Sequence, residues 1–265
     1  MFYSIQCYRK FAIASSYAFK TQNDNMELVT SYIAPSIGSL MSVLLFAGSF
    51  PEIVKIRKTN EMGDTNPLLF PFIYGSTMGW SLLGAIVQDP FYLIGNCPGI
   101  YLGLLYSITC HRITQSDIQR NQMEISIISL TIFWTVLGSI CVFIPRDIAE
   151  NMVGVCANVL TIVMFASPLS TVFEIVRTKS SESINRLFMM MQIISCVSWS
   201  IYGIFTGAYV LLPPNATGLL LGIIQLVLVI KYPRNQTSNT RSRKVSVYSH
   251  EHKSEVIVPV LPNLE

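Results

Sequence analysis

The sequence predicts an all-α membrane protein with seven transmembrane helices, arranged as two parallel three-helix repeats joined by a linker helix (3+1+3). Three observations support this fold class: a shortage of charge, seven apolar stretches of spanning length, and an internal duplication. Only 12% of the residues are charged and 51% are hydrophobic, whereas soluble domains carry about 25% charged residues. The lipid bilayer is therefore the expected solvent for most of the surface.

The apolar stretches give the helix count, because about 20 apolar residues are needed to cross the hydrocarbon core. They cover residues 32–51, 67–87, 91–110, 125–145, 153–176, 187–208 and 211–231. In a seven-span topology, 14 of the 18 Lys and Arg residues fall on one side, and cytoplasmic loops carry the positive excess. We therefore expect a multi-pass protein with its N-terminus outside and its C-terminus in the cytosol. The plasma membrane is the expected location, with an endomembrane as the alternative.

An internal repeat relates the two halves of the chain. A shift of 119 residues aligns residues 76–103 with residues 195–222, with nine identities. A shift of 121 aligns the preceding loops and places Lys58 on Lys179. Three spans end on the opposite side from where they began, so an extra span is needed before a second unit can start in the same orientation. The two units are therefore parallel and related by an axis along the membrane normal.

These patterns divide the chain into five parts. The polar tail is rich in Ser, Thr, Lys and Arg, a composition typical of disorder. The expected order is an N-terminal extension (1–29), the first repeat (30–111), the linker helix region (112–150), the second repeat (151–232) and a disordered cytosolic tail (233–265).

A duplicated set of Ser, Trp and Asn residues is the candidate binding site. In each repeat the Ser and Trp are four residues apart and so share a helix face, and the Asn follows 16 residues later, across the next turn. The two sets are Ser76, Trp80 and Asn96, and Ser195, Trp199 and Asn215. An amide can pair with adjacent hydroxyls, and an indole offers an apolar face and an N–H donor. This chemistry suits a neutral polyol at the repeat interface; the alternative is that these side chains only hold helices together.

Other chemistries lack the residues that they need. No His/Asp/Glu cluster lies within a span, so an enzyme is not expected. The six cysteines form no CxxC motif and have no His at metal-ligand spacing, which predicts neither a metal site nor a cofactor. There is no basic run with interleaved aromatics, so nucleic acid is not an expected partner. The oligomeric state, including a homo-oligomer, stays open.

Prolines are the expected hinges, because a proline within a helix removes an intrahelical hydrogen bond and permits a kink. Pro168 lies mid-way along the fifth span, and Pro51 and Pro71 are candidates for the same role in the first and second spans.

These residues resemble the SWEET (MtN3/saliva) sugar transporter family over about residues 30–232. The most similar run is Ala166-Ser-Pro-Leu-Ser170, Arg177-Thr-Lys-Ser-Ser-Glu182, Ser198-Trp-Ser-Ile-Tyr-Gly203 and then Asn215. The resemblance implies facilitative (uniport) transport of mono- or disaccharides by alternating access. It implies that Asn96 and Asn215 bind sugar, that the two Trp and two Ser residues line the pocket, and that Val43 and Met164 are further pocket positions.

The chain departs from the family pattern in its prolines, because only Pro168 of the usual four matches cleanly. A related triple-helix-bundle carrier of another small solute stays open as an alternative. A seven-helix receptor is a further alternative, although receptor bundles lack such a duplication.

Overall fold

The computed structural model describes residues 25–63, 65–181 and 184–233. The disordered tail predicted from residue 233 onward and most of the predicted N-terminal extension lie outside the described residues. Within them the chain forms a π-helical turn (Val29–Ile33), a 3-10 turn (Tyr209–Leu211) and nine α-helices. These are α1 (Ala34–Ala47), α2 (Phe50–Thr59), α3 (Leu69–Val87), α4 (Pro90–Ile113), α5 (Asp117–Cys141), α6 (Arg146–Met164), α7 (Ala166–Thr178), α8 (Arg186–Thr206) and α9 (Leu212–Lys231).

Seven helical segments of the described chain are long and apolar enough to cross a membrane, so the predicted count is confirmed. The first span is Asn25–Thr59 and contains α1 and α2. The fourth starts earlier than predicted, at Asp117, because Ser116 caps it by accepting a hydrogen bond from the Gln119 N–H (3.4 Å). N-capping side chains replace the missing partners of the first helical N–H groups.

Each repeat is a three-helix bundle in which the third span lies between the other two. In the first repeat, α4 packs against both α1 and α3; in the second, α9 packs against α8 and against α6 and α7. The repeats meet along two seams, α1 against α8 and α3 against α6. Six spans therefore surround the repeat interface, and the linker helix α5 stands outside this ring.

The linker helix docks on the first repeat through two glycines of α3. A Cβ atom on Gly79 would lie 2.3 Å from Trp134 Cζ2, and one on Gly75 would lie 2.7 Å from Leu130 Cδ1. Both distances are far below van der Waals contact, so a larger residue at either position would force Trp134 or Leu130 to shift. Small residues permit such close helix approach inside membranes.

A single shift of 119 residues relates the repeats, including the helix ends that precede the second and sixth spans. α2 ends at Asn60 and α7 at Lys179, and both of these residues adopt left-handed backbone conformations (φ 56° and 55°). Their N–H groups donate to the carbonyls of Ile56 and Ile175, which are also 119 residues apart. The predicted pairing of Lys58 with Lys179, at a shift of 121, is therefore wrong. Equivalent helix ends are a stronger guide to the alignment of the two repeats than the similarity of two basic loops.

Two of the three predicted hinge prolines follow a break in a span. α1 ends at Ala47 and α6 ends at Met164. These residues stand four positions before Pro51 and Pro168, and a proline has no N–H to donate to the carbonyl four residues earlier. Pro71 causes no such break, because it lies in the first turn of α3, where the N–H needs no intrahelical partner.

Candidate functional site

A cavity of about 270 Å3 lies between the two repeats. Its lining includes seven of the eight predicted site residues, namely Asn96, Asn215, Trp80, Trp199, Ser76, Ser195 and Met164. The structure thus brings both copies of the duplicated set into one space. The eighth residue, Val43, does not line the cavity.

The cavity has an approximate two-fold symmetry, because the shift of 119 residues maps most lining residues onto other lining residues. Besides the predicted pairs, the matched pairs are Ser42 with Thr161, Leu45 with Met164, Phe46 with Phe165, Leu69 with Phe188, Ile73 with Gln192, Thr77 with Cys196, and Tyr92 with Leu211. Val43 and Met164 are 121 residues apart, the register that the helix ends contradict. Leu45 takes the place that the sequence analysis assigned to Val43.

The two asparagines have the same local geometry. Asn96 Nδ2 donates to the Tyr92 carbonyl (2.9 Å), and Asn215 Nδ2 donates to the Leu211 carbonyl (2.7 Å). Each bond goes to the carbonyl four residues earlier and holds the side chain against its own helix. An amide has two N–H donors and one acceptor oxygen. Each asparagine therefore keeps one N–H and one carbonyl oxygen for a ligand.

Two hydroxyl groups that the sequence analysis missed link the repeats at the cavity wall. Thr161 Oγ1 accepts hydrogen bonds from Trp80 Nε1 (2.9 Å) and lies 2.9 Å from Ser76 Oγ. At the equivalent place in the other seam, Ser42 Oγ accepts from Trp199 Nε1 (3.2 Å) and lies 3.4 Å from the Oγ of its serine partner, Ser195. The signal for these residues was present, since Ser42 and Thr161 are 119 residues apart.

The same bonds change the role expected for the tryptophans. Thr161 and Ser42 each donate their own hydroxyl hydrogen to the carbonyl four residues earlier (2.8 and 2.9 Å), which leaves their lone pairs to accept from the indoles. The N–H groups of Trp80 and Trp199 are therefore already bonded. In this conformation the tryptophans offer a ligand their apolar faces and not the N–H donor that we expected.

Buried aromatic side chains close the cavity toward the N-terminal face, the side on which the first span begins. Trp80, Tyr92 and Trp199 are exposed by only 8%, 3% and 6%. The Tyr92 ring centroid lies 6.2 Å from that of Trp80 and 5.5 Å from that of Trp199. Both repeats contribute to this layer, which separates the cavity from the loops beyond it.

Above that layer, side-chain hydrogen bonds join the first repeat to both α6 and α8. Arg146 Nη2, at the start of α6, donates to the Val87 carbonyl at the end of α3 (2.6 Å). The Tyr202 hydroxyl donates to Asp89 Oδ2, and Asp89 Oδ1 accepts from the Phe91 N–H (2.9 Å) as the N-cap of α4. One carboxylate therefore both starts a helix and bonds to the opposite repeat. This contact has no symmetric copy, because the shift of 119 places Ala208 at the position of Asp89 and Leu83 at that of Tyr202.

The repeats separate toward the C-terminal face, the side on which the seventh span ends. There α2 packs against α4 of its own repeat and α7 packs against α9 of its own repeat, without extensive contact across the interface. Lys179 Nζ donates to the Tyr232 hydroxyl (3.2 Å), which ties the end of α7 to the end of α9 and lowers the pKa of Tyr232. The cavity is closed on the N-terminal face while its C-terminal walls diverge.

The described lining carries no charged side chain. Glu52 lies in the first turn of α2, exposed, and accepts a hydrogen bond from Thr65 Oγ1 (2.5 Å). Glu174 in α7 is also exposed. A buried charge would need a partner or would change its protonation state. The arrangement offers hydrogen-bonding amides and apolar ring faces, which suit a neutral ligand with several hydroxyl groups.

Comparisons with known proteins agree with this architecture. A family model described as "Sugar efflux transporter for intercellular exchange" matches residues 151–237. The chain is 25% identical over 190 residues to "Sugar transporter SWEET1" of Danio rerio, covering 71% of this chain and 86% of the relative. It is 24% identical over 208 residues to "Bidirectional sugar transporter SWEET5" of Arabidopsis thaliana, covering 77% and 86%.

A solved structure shows the same fold. It is described as a eukaryotic SWEET transporter at 3.7 Å resolution, and it matches with a TM-score of 0.69 and 22% identity, covering 78% of this chain and 98% of that one. The family model and the curated relatives support a protein of the SWEET (MtN3/saliva) family, and the solved structure supports the same fold.

Proposed function

We propose that this chain carries mono- or disaccharides passively across a membrane by alternating access. The observation that carries the proposal is the cavity between the repeats, where Asn96 and Asn215 project toward one uncharged space walled by Trp80 and Trp199. Transporter sites lie at such repeat interfaces near the bilayer midplane. The sugar names of the relatives support the choice of ligand.

The two asparagines are the proposed sugar-binding residues, with the tryptophan faces packing on the C–H groups of the sugar ring. Ser76 and Ser195 hold the wall through their contacts with Thr161 and Ser42. Closure at the C-terminal face and opening at the N-terminal face would expose the same site to the other side of the membrane. The breaks near Pro51 and Pro168 are the proposed hinges for the first of these movements.

The test is uptake of a labelled panel of mono- and disaccharides into proteoliposomes. Asn96→Ala and Asn215→Ala should each nearly abolish uptake, because truncation leaves ligand hydroxyls without partners. Asn151→Ala is the matched control: its amide also bonds the carbonyl four residues earlier (2.9 Å), but it is exposed and outside the cavity. Full uptake by a well-folded Asn96 or Asn215 variant would contradict the assigned site.

We further propose that transport needs no ion gradient. A coupled carrier needs a titratable group at its site, and the described lining has no charged residue. Uptake should therefore be unchanged by a protonophore, and sugar should not accumulate above its outside concentration. Uphill accumulation driven by an imposed pH gradient would refute the uniport proposal, and Glu52 would then be the first residue to test.

The proposed orientation places the C-terminal face in the cytosol and the N-terminal face outside the plasma membrane. It rests on the distribution of Lys and Arg among the loops. A tag after Glu265 should be reached by antibody only after permeabilisation, and an N-terminal tag should be reached in intact cells. The reverse pattern would overturn the orientation.

A further inference from the structure

The amide groups of the cavity lining depart from its two-fold symmetry at one position. Gln192 lines one wall, and the residue 119 positions earlier on the opposite wall is Ile73. Ser76 pairs with Ser195, Asn96 with Asn215 and Ser42 with Thr161, whereas Thr77 pairs with Cys196 and Tyr92 with Leu211. Among the amides of the described lining, Gln192 is the one without an amide counterpart. The second repeat therefore supplies an amide where the first supplies only an alkyl group.

The geometry directs this amide to the ligand space. Gln192 precedes Ser195 by three residues and Trp199 by seven, so all three share one face of α8. The side chain is only 8% exposed, and its Nε2 donates to the Gly218 carbonyl on α9 (3.3 Å). Gly218 stands one turn beyond Asn215. Gln192 lines the cavity, and within the described part of the chain no donor reaches its Oε1 atom.

We propose that Gln192 is a third amide contact for the transported sugar and determines both its orientation and its selectivity. This inference rests on the proposed function. A site with exact two-fold symmetry would bind a sugar equally well in two orientations related by a half-turn about the membrane normal. An amide on one wall favours the orientation that places a hydroxyl against Oε1. Gln192 is thus the residue that discriminates a hexose from the analogue lacking that hydroxyl.

The experiment measures equilibrium binding to the purified full-length protein in detergent, so that it is independent of transport rate. The probes are D-glucose, D-fructose and D-galactose, followed by the monodeoxy analogues of whichever hexose binds most tightly. Gln192→Met keeps the length of the side chain and removes its hydrogen bonding. Gln225→Met is the matched control, because Gln225 is a buried glutamine on α9 (7% exposed) that does not line the cavity.

Gln192→Met should weaken binding of the parent hexose about three- to tenfold, the loss expected for one hydrogen bond. It should leave the affinity of one monodeoxy analogue unchanged, because that analogue lacks the hydroxyl in question. The swap variant Ile73→Gln/Gln192→Ile moves the amide to the other wall, where Gly99 provides the carbonyl equivalent to that of Gly218. It should restore the parent affinity, since the sugar can turn by half a rotation.

The outcomes separate the two proposals. If the wild type binds a hexose and Gln192→Met binds it and all its analogues equally well, Gln192 only holds α8 to α9 and the inference is wrong. The same conclusion follows if every ligand weakens by the same factor and the swap restores nothing. If the wild type binds none of these hexoses, the inference is wrong; if it also takes up nothing from the panel of mono- and disaccharides in proteoliposomes, the proposed function itself fails. Thermal unfolding of each variant identifies any loss that comes from misfolding.

Discussion

Removal of a single oxygen atom, in Tyr202→Phe, should open the N-terminal face. The Tyr202 hydroxyl donates to Asp89, which makes it one of two side-chain hydrogen bonds that join α6 and α8 to the first repeat above the aromatic layer in the described residues. Phenylalanine retains the ring, which packs against Trp199 with centroids 6.0 Å apart and against Phe91 at 6.3 Å. The change therefore tests the bond without creating a cavity.

The magnitude follows from the charge and the exposure of the acceptor. Hydrogen bonds to charged groups contribute about 1.5–3 kcal/mol, and the lower end applies here because both side chains are only partly buried. A loss of about 1.5 kcal/mol raises the population that is open at this face about tenfold. Because this bond breaks when the face opens, its whole contribution to the free energy shifts the equilibrium between the closed and open forms of the N-terminal face.

Hydrogen–deuterium exchange of the detergent-solubilised protein measures that population, since exchange reports local opening. Amides from Gln88 to Phe91 and in the turn Tyr209–Leu211 should exchange up to about tenfold faster in Tyr202→Phe. Tyr209→Phe is the matched control, because Tyr209 lies in the monitored turn Tyr209–Leu211 and its side chain is 66% exposed. Equal exchange in Tyr202→Phe and wild type would show that the Asp89 contact does not hold this face closed.

Two further changes test the packing of the repeats. Thr161→Val removes the acceptor of the Trp80 indole and should lower the free energy of unfolding by about 2 kcal/mol, because two hydrogen bonds are lost. Thermal or denaturant unfolding measures this loss, and Thr161→Ser should restore the stability. Equal stability of the valine and serine variants would contradict the role of the hydroxyl. Gly79→Ala should lower the free energy of unfolding by about 1–3 kcal/mol, because the added methyl group overpacks against Trp134. Gly138→Ala should be tolerated, because its added methyl group lies at an ordinary 3.5 Å from the nearest side chain. Equal melting temperatures of these two alanine variants would refute the docking contact.

The sequence predicted the number of spans, the 3+1+3 repeat and seven of the cavity-lining residues, because these depend on composition and on strong identities such as Trp80 with Trp199. The alignment of the first span with the fifth was harder to predict. Their apolar stretches share few identities, so a similarity between basic loops favoured a shift of 121. The pocket position that the family resemblance implied at Val43 lies outside the lining, which contains Leu45 instead. Helix ends determine the register, and they are visible only in the fold.

Contacts that lack a symmetric copy were beyond the reach of repeat analysis. Asp89 and Tyr202 are 113 residues apart and come from different repeats, and neither stands out in the sequence as a partner of the other. Ser42 and Thr161 escaped notice for another reason. Hydroxyl residues are common in membrane helices, so the spacing of 119 residues between these two became informative only when the fold placed them beside the indoles.

The two broken spans have a mechanical consequence. Beyond its break the first span continues for 10 residues in α2, and the fifth continues for 13 residues in α7, although both end at equivalent positions. At 1.5 Å per residue these are lever arms of about 15 and about 20 Å. Equal rotations would carry the tip of α7 about a third further than that of α2. In the proposed alternating-access cycle, the two arms would therefore move unequally at the C-terminal face, although the lining of the central cavity is nearly symmetric.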